Sequence, residues 1–81
     1  MKFEEALEQL KLGKMLAREV WREMYIFIVP GNVIEQSIAD HYNDCARLPV
    51  PDTIYLKTAD DELVPWATGQ SDILASDWNV V

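Results

Sequence analysis

Residues 62–81 read ELVPWATGQSDILASDWNVV, and this closing stretch decides the fold. Trp66 and Trp78, two of the three tryptophans, bracket a polar run, Thr68-Gly69-Gln70-Ser71-Asp72, that gives way to apolar Ile73-Leu74-Ala75. That order predicts a strand, a tight polar turn opening a short helical turn, and a closing strand. Ser71 or Asp72 is expected to cap the turn, because a short side-chain oxygen accepts from backbone N–H groups that a first helical turn leaves unpaired. Asp77-Trp78-Asn79-Val80-Val81 alternates polar and apolar as a half-buried strand does.

Immediately upstream, Thr53 to Thr58 alternates as a second strand, Ala59-Asp60-Asp61 forms a turn, and Glu62 to Trp66 returns as the hairpin partner. Tyr25-Ile26-Phe27-Ile28-Val29 is rich in aromatic and β-branched residues and reads as a third strand. Pro30-Gly31-Asn32 is expected to end it, since proline has no N–H donor and glycine tolerates unusual φ. Residues 33–52 leave two readings open. Val33, Ile34, Ile38 and Tyr42 either share one face of a short helix over 34–46, closed by Pro49-Val50-Pro51, or belong to an irregular excursion.

At the start of the chain Phe3, Ala6, Leu7 and Leu10 recur at helical spacing, with Glu4, Glu5, Glu8, Gln9 and Lys11 opposite them. An amphipathic helix over 3–12 follows, acidic where it opens and closed by Lys11 and Lys14, which suits the helix dipole. Gly13 is the expected left-handed residue after it. Lys14 to Arg18 reads as a short strand and Glu19 to Glu23 as an irregular ribbon. The expected fold is α+β: an N-terminal amphipathic helix packed on a small antiparallel sheet of four or five strands, with a short helical turn before the last strand.

Eighty-one residues make one domain, 1–81, and 49% hydrophobic with 10% aromatic content is globular rather than disordered. So much apolar material on so small a body makes self-association a natural way to bury the excess. A net charge of −7 argues against DNA or RNA as partner, which needs a basic face to displace counterions, and against an anionic membrane surface. A single cysteine, Cys45, excludes an internal disulfide framework. The acidic N-terminus is unlike a signal peptide, and no apolar run approaches a membrane span, so a cytoplasmic protein is expected.

Read together, Phe3-Glu4-Glu5-Ala6-Leu7 through Gly13-Lys14, Trp21, Pro30-Gly31, Lys57-Thr58-Ala59-Asp60, and the closing pattern from Pro65-Trp66 through Gln70, Asp72, Leu74-Ala75 and Asp77-Trp78 form one ordered set. That set resembles a small phage and prophage family once grouped only as a domain of unknown function and now associated with Thoeris anti-defence proteins of the second type. The terminal pattern is its specific part, and the resemblance spans the chain apart from a variable excursion at about 32–52. It departs at Gly69, where serine is usual. The resemblance implies a non-enzymatic sponge: a homotetramer that binds cyclic ADP-ribose-type immune signals, notably glycocyclic forms, in pockets between subunits. Some members also hold cyclic dinucleotides. No cofactor is implied. The rival reading is a non-catalytic structural or protein-interaction module that self-associates.

A cyclic ADP-ribose ligand presents a purine face, ribose hydroxyls and a pyrophosphate. Trp21, set among Arg18, Glu19, Arg22 and Glu23, is the candidate stacking plate, and its bland alternative is a core tryptophan covering the sheet end. Lys11, Lys14, Arg18 and Arg22 gather four of the seven basic residues in twelve positions, a local concentration suited to phosphate. Arg18 and Arg22 flank Trp21 and are the candidates; a solvated face pairing with Glu4, Glu8, Glu19 and Glu23 is the alternative. Gln70, Ser71 and Asp72 open the short turn, where backbone N–H groups suit an anion and Asp72 suits a ribose hydroxyl, with simple capping as the competing role. Trp66 is the weakest candidate, being more at home in the core, and Asp77 is expected to partner backbone or an arginine.

Catalytic and metal roles are assigned to no residue. His41 and Cys45 lie four apart, but two ligands make no zinc site and no third group orients them as a nucleophile pair. The three glycines form no phosphate-binding fingerprint.

Overall fold

A computed structural model describes residues 1–42 and 48–81. Helix α1, Phe3–Lys11, turns its apolar stripe inward and buries Ala6 and Leu10. Its first turn is closed by Glu5, whose carboxylate accepts from the Lys2 backbone N–H at 3.3 Å. Its last turn ends in a Schellman arrangement: Lys14 N–H reaches the Gln9 carbonyl at 3.1 Å and Gly13 N–H the Leu10 carbonyl at 3.0 Å. Gly13 adopts φ +88, the left-handed conformation that glycine takes without a Cβ penalty.

Strands β1 (Leu16–Arg18), β2 (Tyr25–Val29), β3 (Thr53–Lys57), β4 (Leu63–Pro65) and β5 (Trp78–Val80) make one antiparallel sheet in the order β4-β3-β2-β1-β5. The expected α+β architecture is therefore what the chain adopts. β2 and β3 run side by side from Tyr25 opposite Lys57 to Val29 opposite Thr53, and β4 follows β3 through a tight hairpin with Asp61 at φ 62. The closing strand does not extend that hairpin. It crosses to the far edge and lies beside the first strand, pairing Leu16 with Val80, Ala17 with Asn79 and Arg18 with Trp78.

The register decides the core. Directly opposed residues of an antiparallel pair point to one face, so Leu16, Ile26 and Trp78 look the same way. α1 packs on that face against β5, β1 and β2, and the enclosed core is Ala6, Leu10, Leu16, Ile26 and Trp78. Burying such side chains contributes about 1.5–3 kcal/mol each. Phe3, Leu7, Trp21, Ile28, Ile54, Leu56, Trp66 and Ala75 are partly buried around it.

Helix α2, Gly31–His41, corrects the reading of Pro30-Gly31-Asn32 as a terminating turn. Pro30 is the N-cap, so its missing donor costs nothing, and the chain passes straight from β2 into the helix. Gly31 is there for space rather than for φ: it is buried, and a Cβ at that position would run into the carbonyl of Val50. Asp52 accepts from Gly31 N–H at 2.8 Å and Glu35 from Val50 N–H at 2.8 Å, which ties the root of α2 to the segment entering β3. The helix expected over 34–46 thus begins earlier and closes at His41 among the described residues, and the part of that expectation falling on 43–47, Cys45 included, lies outside them.

Helix α3, Gln70–Ile73, is the short turn before β5, and here the capping expectation fails. Gly69 is the N-cap and no side chain caps the turn. Asp72 is drawn elsewhere by a longer-range partner. β1 is also shorter than expected, beginning at Leu16 rather than Lys14.

Candidate functional site

Arg18 stands on β1 where that strand meets β5 and faces two carboxylates. Its Nη1 donates to Asp72 Oδ1 at 3.0 Å and its Nε to Asp77 Oδ1 at 2.9 Å, with Nη2 to Asp77 Oδ2 at 3.5 Å. These side chains are about one-fifth to one-quarter exposed, 19% for Arg18 and Asp72 and 24% for Asp77. The hydrogen bond from Arg18 holds the Asp77 carboxyl below the ordinary carboxylate range, against the opposing effect of burial. The same bonds to Asp77 and Asp72 raise the Arg18 guanidinium. The expectation that Asp77 partners backbone or an arginine is met.

Asp72 has a second tie. Its backbone carbonyl accepts from the Trp78 indole Nε1 at 2.9 Å. Trp78, fully buried, is thereby hydrogen-bonded as a buried indole ordinarily is. Around it sit Phe3 at 5.4 Å, Trp21 at 5.2 Å and Trp66 at 5.9 Å between ring centroids. Trp21 is placed by a turn in which its N–H reaches the Arg18 carbonyl at 3.0 Å, while Glu19 N–H bonds the Asp77 carbonyl at 3.0 Å. Its ring meets Trp78 at 81° and Trp66 at 75°, so neither of these rings stacks flat upon it. The two readings of Trp21 thus converge: it packs against the core and stays half-buried.

The remaining candidates fall into place around this cluster. Arg22 is exposed and makes no ion pair among the described residues. The same holds for Lys11 and Lys14, so the expected pairing with Glu4, Glu8, Glu19 and Glu23 does not form there. Trp66 lines a shallow groove of about 450 Å³ with Phe3, Leu7, Ile54, Pro65 and Ile73, and Gln70 borders another with Thr68, Gly69 and Leu74. Ser71 is exposed. The candidate set therefore divides into an Arg18–Asp72–Trp21 group and a Trp66–Gln70 group, joined where Trp66 meets Trp21 at 6.4 Å.

The anion-friendly turn is corrected by its own hydrogen bonds. Asp72 N–H and Ile73 N–H both go to the Gly69 carbonyl, and Leu74 N–H to Gln70, so these donors are occupied within the turn. Four residues also carry little of the aligned dipole on which anion binding at a helix start depends. Sequence reasoning missed Trp78 as the partner that seats both Trp21 and Asp72, and its spacing six residues after Asp72 carries no local signal for that bond. Among the described residues no three His, Cys, Asp or Glu side chains gather as metal ligands would.

A sequence model described as the Thoeris anti-defense 2-like domain matches residues 1–81. The chain belongs to that family. A Thoeris anti-defense 2 protein of Bacillus phage SP01 is 33% identical over 84 residues, a match spanning 100% of this chain and 94% of the relative. Membership in the Thoeris anti-defense 2-like family supports a phage anti-defence role, and the family is an anti-defence domain rather than a known enzyme family. No helix among the described residues is long and apolar enough to cross a membrane.

Proposed function

We propose that this chain is a sponge that binds a cyclic ADP-ribose-type signal, glycocyclic forms foremost, and withholds it from the effector that would respond to it. Binding is the whole of the activity, and no bond of the signal is broken. The observation that carries this reading is Trp21, half-buried, edge-on to two other indoles and adjacent in the chain to the exposed Arg22. A purine stacked on such a ring contributes on the order of 1–3 kcal/mol, by analogy with single-stranded nucleic acids. Arg22 supplies charge to the pyrophosphate, and Ser71 and Gln70 supply neutral polar groups beside the ribose. Cyclic dinucleotides share the same chemistry of purine, ribose and phosphate and are the second ligand class to be tried.

Sites shared between copies suit the dimensions of the chain. Its surface of 5904 Å² exceeds the roughly 5,000 Å² expected of a compact monomer of this mass. Its radius of gyration, 14.2 Å, exceeds the roughly 12 Å expected for the length. The excess surface is comparable to the roughly 800 Å² that one partner buries in a standard interface. Leu12, Val20 and Leu74, 72%, 65% and 80% exposed, are apolar surface of the kind that association covers. The homo-oligomer, a tetramer in this reading, works in the cytoplasm of the phage-infected cell.

The test is a thermal-shift screen against glycocyclic ADP-ribose isomers, ordinary cyclic ADP-ribose and a cyclic dinucleotide panel, followed by heat release of the bound molecule. A ligand that binds only the folded form raises its stability by mass action. Stabilisation by one class, release of the intact signal, and loss of that response in Trp21→Leu at a temperature where the variant remains folded are expected. A linear product on release means catalysis. No stabilisation by any member moves the assignment to a self-associating interaction module.

A further inference from the structure

We propose that Arg18 is a positioning residue, holding α3 and the Trp78 indole in register beside Trp21, rather than a contact for the phosphate of a ligand. The functional consequence rests on the nucleotide-binding reading above; the structural part does not. Three guanidinium N–H groups are engaged with carboxylates from two separate segments, Asp72 on α3 and Asp77 at the entrance to β5. Only a planar fork serves two such partners at once, which is why arginine and not lysine stands here. One positive charge faces two negative ones, so the group as a whole repels the dianion it was first expected to attract.

What needs positioning is α3. A helix of four residues has no stability of its own, because nucleation fixes more dihedrals than its bonds repay. Its only side-chain tie among the described residues is the Asp72 carboxylate on Arg18, and the Asp72 carbonyl on the Trp78 indole is its second anchor. Both run through one residue. Releasing Arg18 frees Asp72, and with it the Gln70–Ser71 edge and the packing of Trp78 against Trp21.

The experiment compares wild type with Arg18→Lys and Asp77→Asn by amide hydrogen exchange, by the three indole N–H signals, and by titration with glycocyclic ADP-ribose. In Arg18→Lys, exchange in residues 70–76 and at the Trp78 indole is expected to accelerate at least tenfold, while β2 and β3 amides, which report folding, hold their protection. Unchanged exchange in 70–76 overturns the proposal. Asp77→Asn separates the two roles by sign. Were Arg18 a phosphate contact, removing a competing carboxylate would tighten binding of an anionic ligand; as a positioning residue it is expected to bind at least threefold more weakly. Tighter binding refutes the assignment. A wild-type protein that ignores the ligand refutes the sponge and leaves the exchange data to judge Arg18 alone.

Discussion

Replacing Trp78 with phenylalanine keeps an aromatic ring in the centre of the core and deletes one donor. The lost hydrogen bond is the 2.9 Å contact from Nε1 to the Asp72 carbonyl, whose other partner, Ala75 N–H, lies at a long 3.4 Å. An under-satisfied, partly buried carbonyl costs about 1–3 kcal/mol. The smaller ring adds a transfer and cavity cost on the order of 1 kcal/mol, because Trp78 is fully buried and its neighbours Phe3, Trp21 and Trp66 close around it only in part. The sum is about 2–4 kcal/mol, a large share of the roughly 4–12 kcal/mol that a domain of this length commands. Urea unfolding followed by far-UV circular dichroism reads it directly, with the midpoint falling by at least about 1 M at a slope of about 1–2 kcal/mol/M. Trp66→Phe is the control: its indole donates to no partner among the described residues, and the expected loss is at most half as large. A Trp78→Phe loss below about 0.5 kcal/mol would refute the argument that this one bond seats α3 on the core.

Gly31→Ala places a methyl against the Val50 carbonyl, with the Pro51 carbonyl carbon 3.1 Å away, and since backbone yields little it is expected to cost about 1–3 kcal/mol; an unchanged thermal midpoint would contradict this. The Arg18–Asp77 pair gives stability an acid limb. Because the Asp77 carboxyl lies below its unfolded value, its contribution is complete above the ordinary carboxylate pKa near 4 and is lost as pH falls through the folded value. The stability gap between wild type and Asp77→Asn is thus expected to stay constant above about pH 5 and to close below about pH 4, as urea midpoints across that range would read.

Periodic local patterns were legible in the chain. The apolar repeat from Phe3 to Leu10 and the glycine at 13 defined α1, and the aromatic and β-branched run from Tyr25 defined β2, because one face of each is set by neighbours in sequence. Where one residue type serves two purposes, local rules named the wrong one. Pro30-Gly31 has the chemistry of a turn and also that of a helix start under a crossing backbone, and only the position of Val50 decides between them. Asp72 is a good cap by type, yet a guanidinium 54 positions away claims it. Trp21 looked like a plate that a mutation could remove without harm to the fold. Its edge-on contacts with Trp78 and Trp66 mean that truncation to alanine also takes packing from the core.

The pairing of β1 with β5 joins segments about sixty residues apart. Contacts between distant parts of a chain form slowly, since the intervening loop must be closed before they return any energy. In a chain made from its N-terminus, Ala6, Leu10 and Leu16 are complete long before the indole that covers them exists. Until Trp78 emerges they share no closed interior, and β1 offers a free edge to whatever strand is nearest. A truncation a few residues before Trp78 therefore does more than shorten the sheet. It leaves a nascent chain that can collapse but never seal, open to chaperones and proteases in the very cell it is to act in.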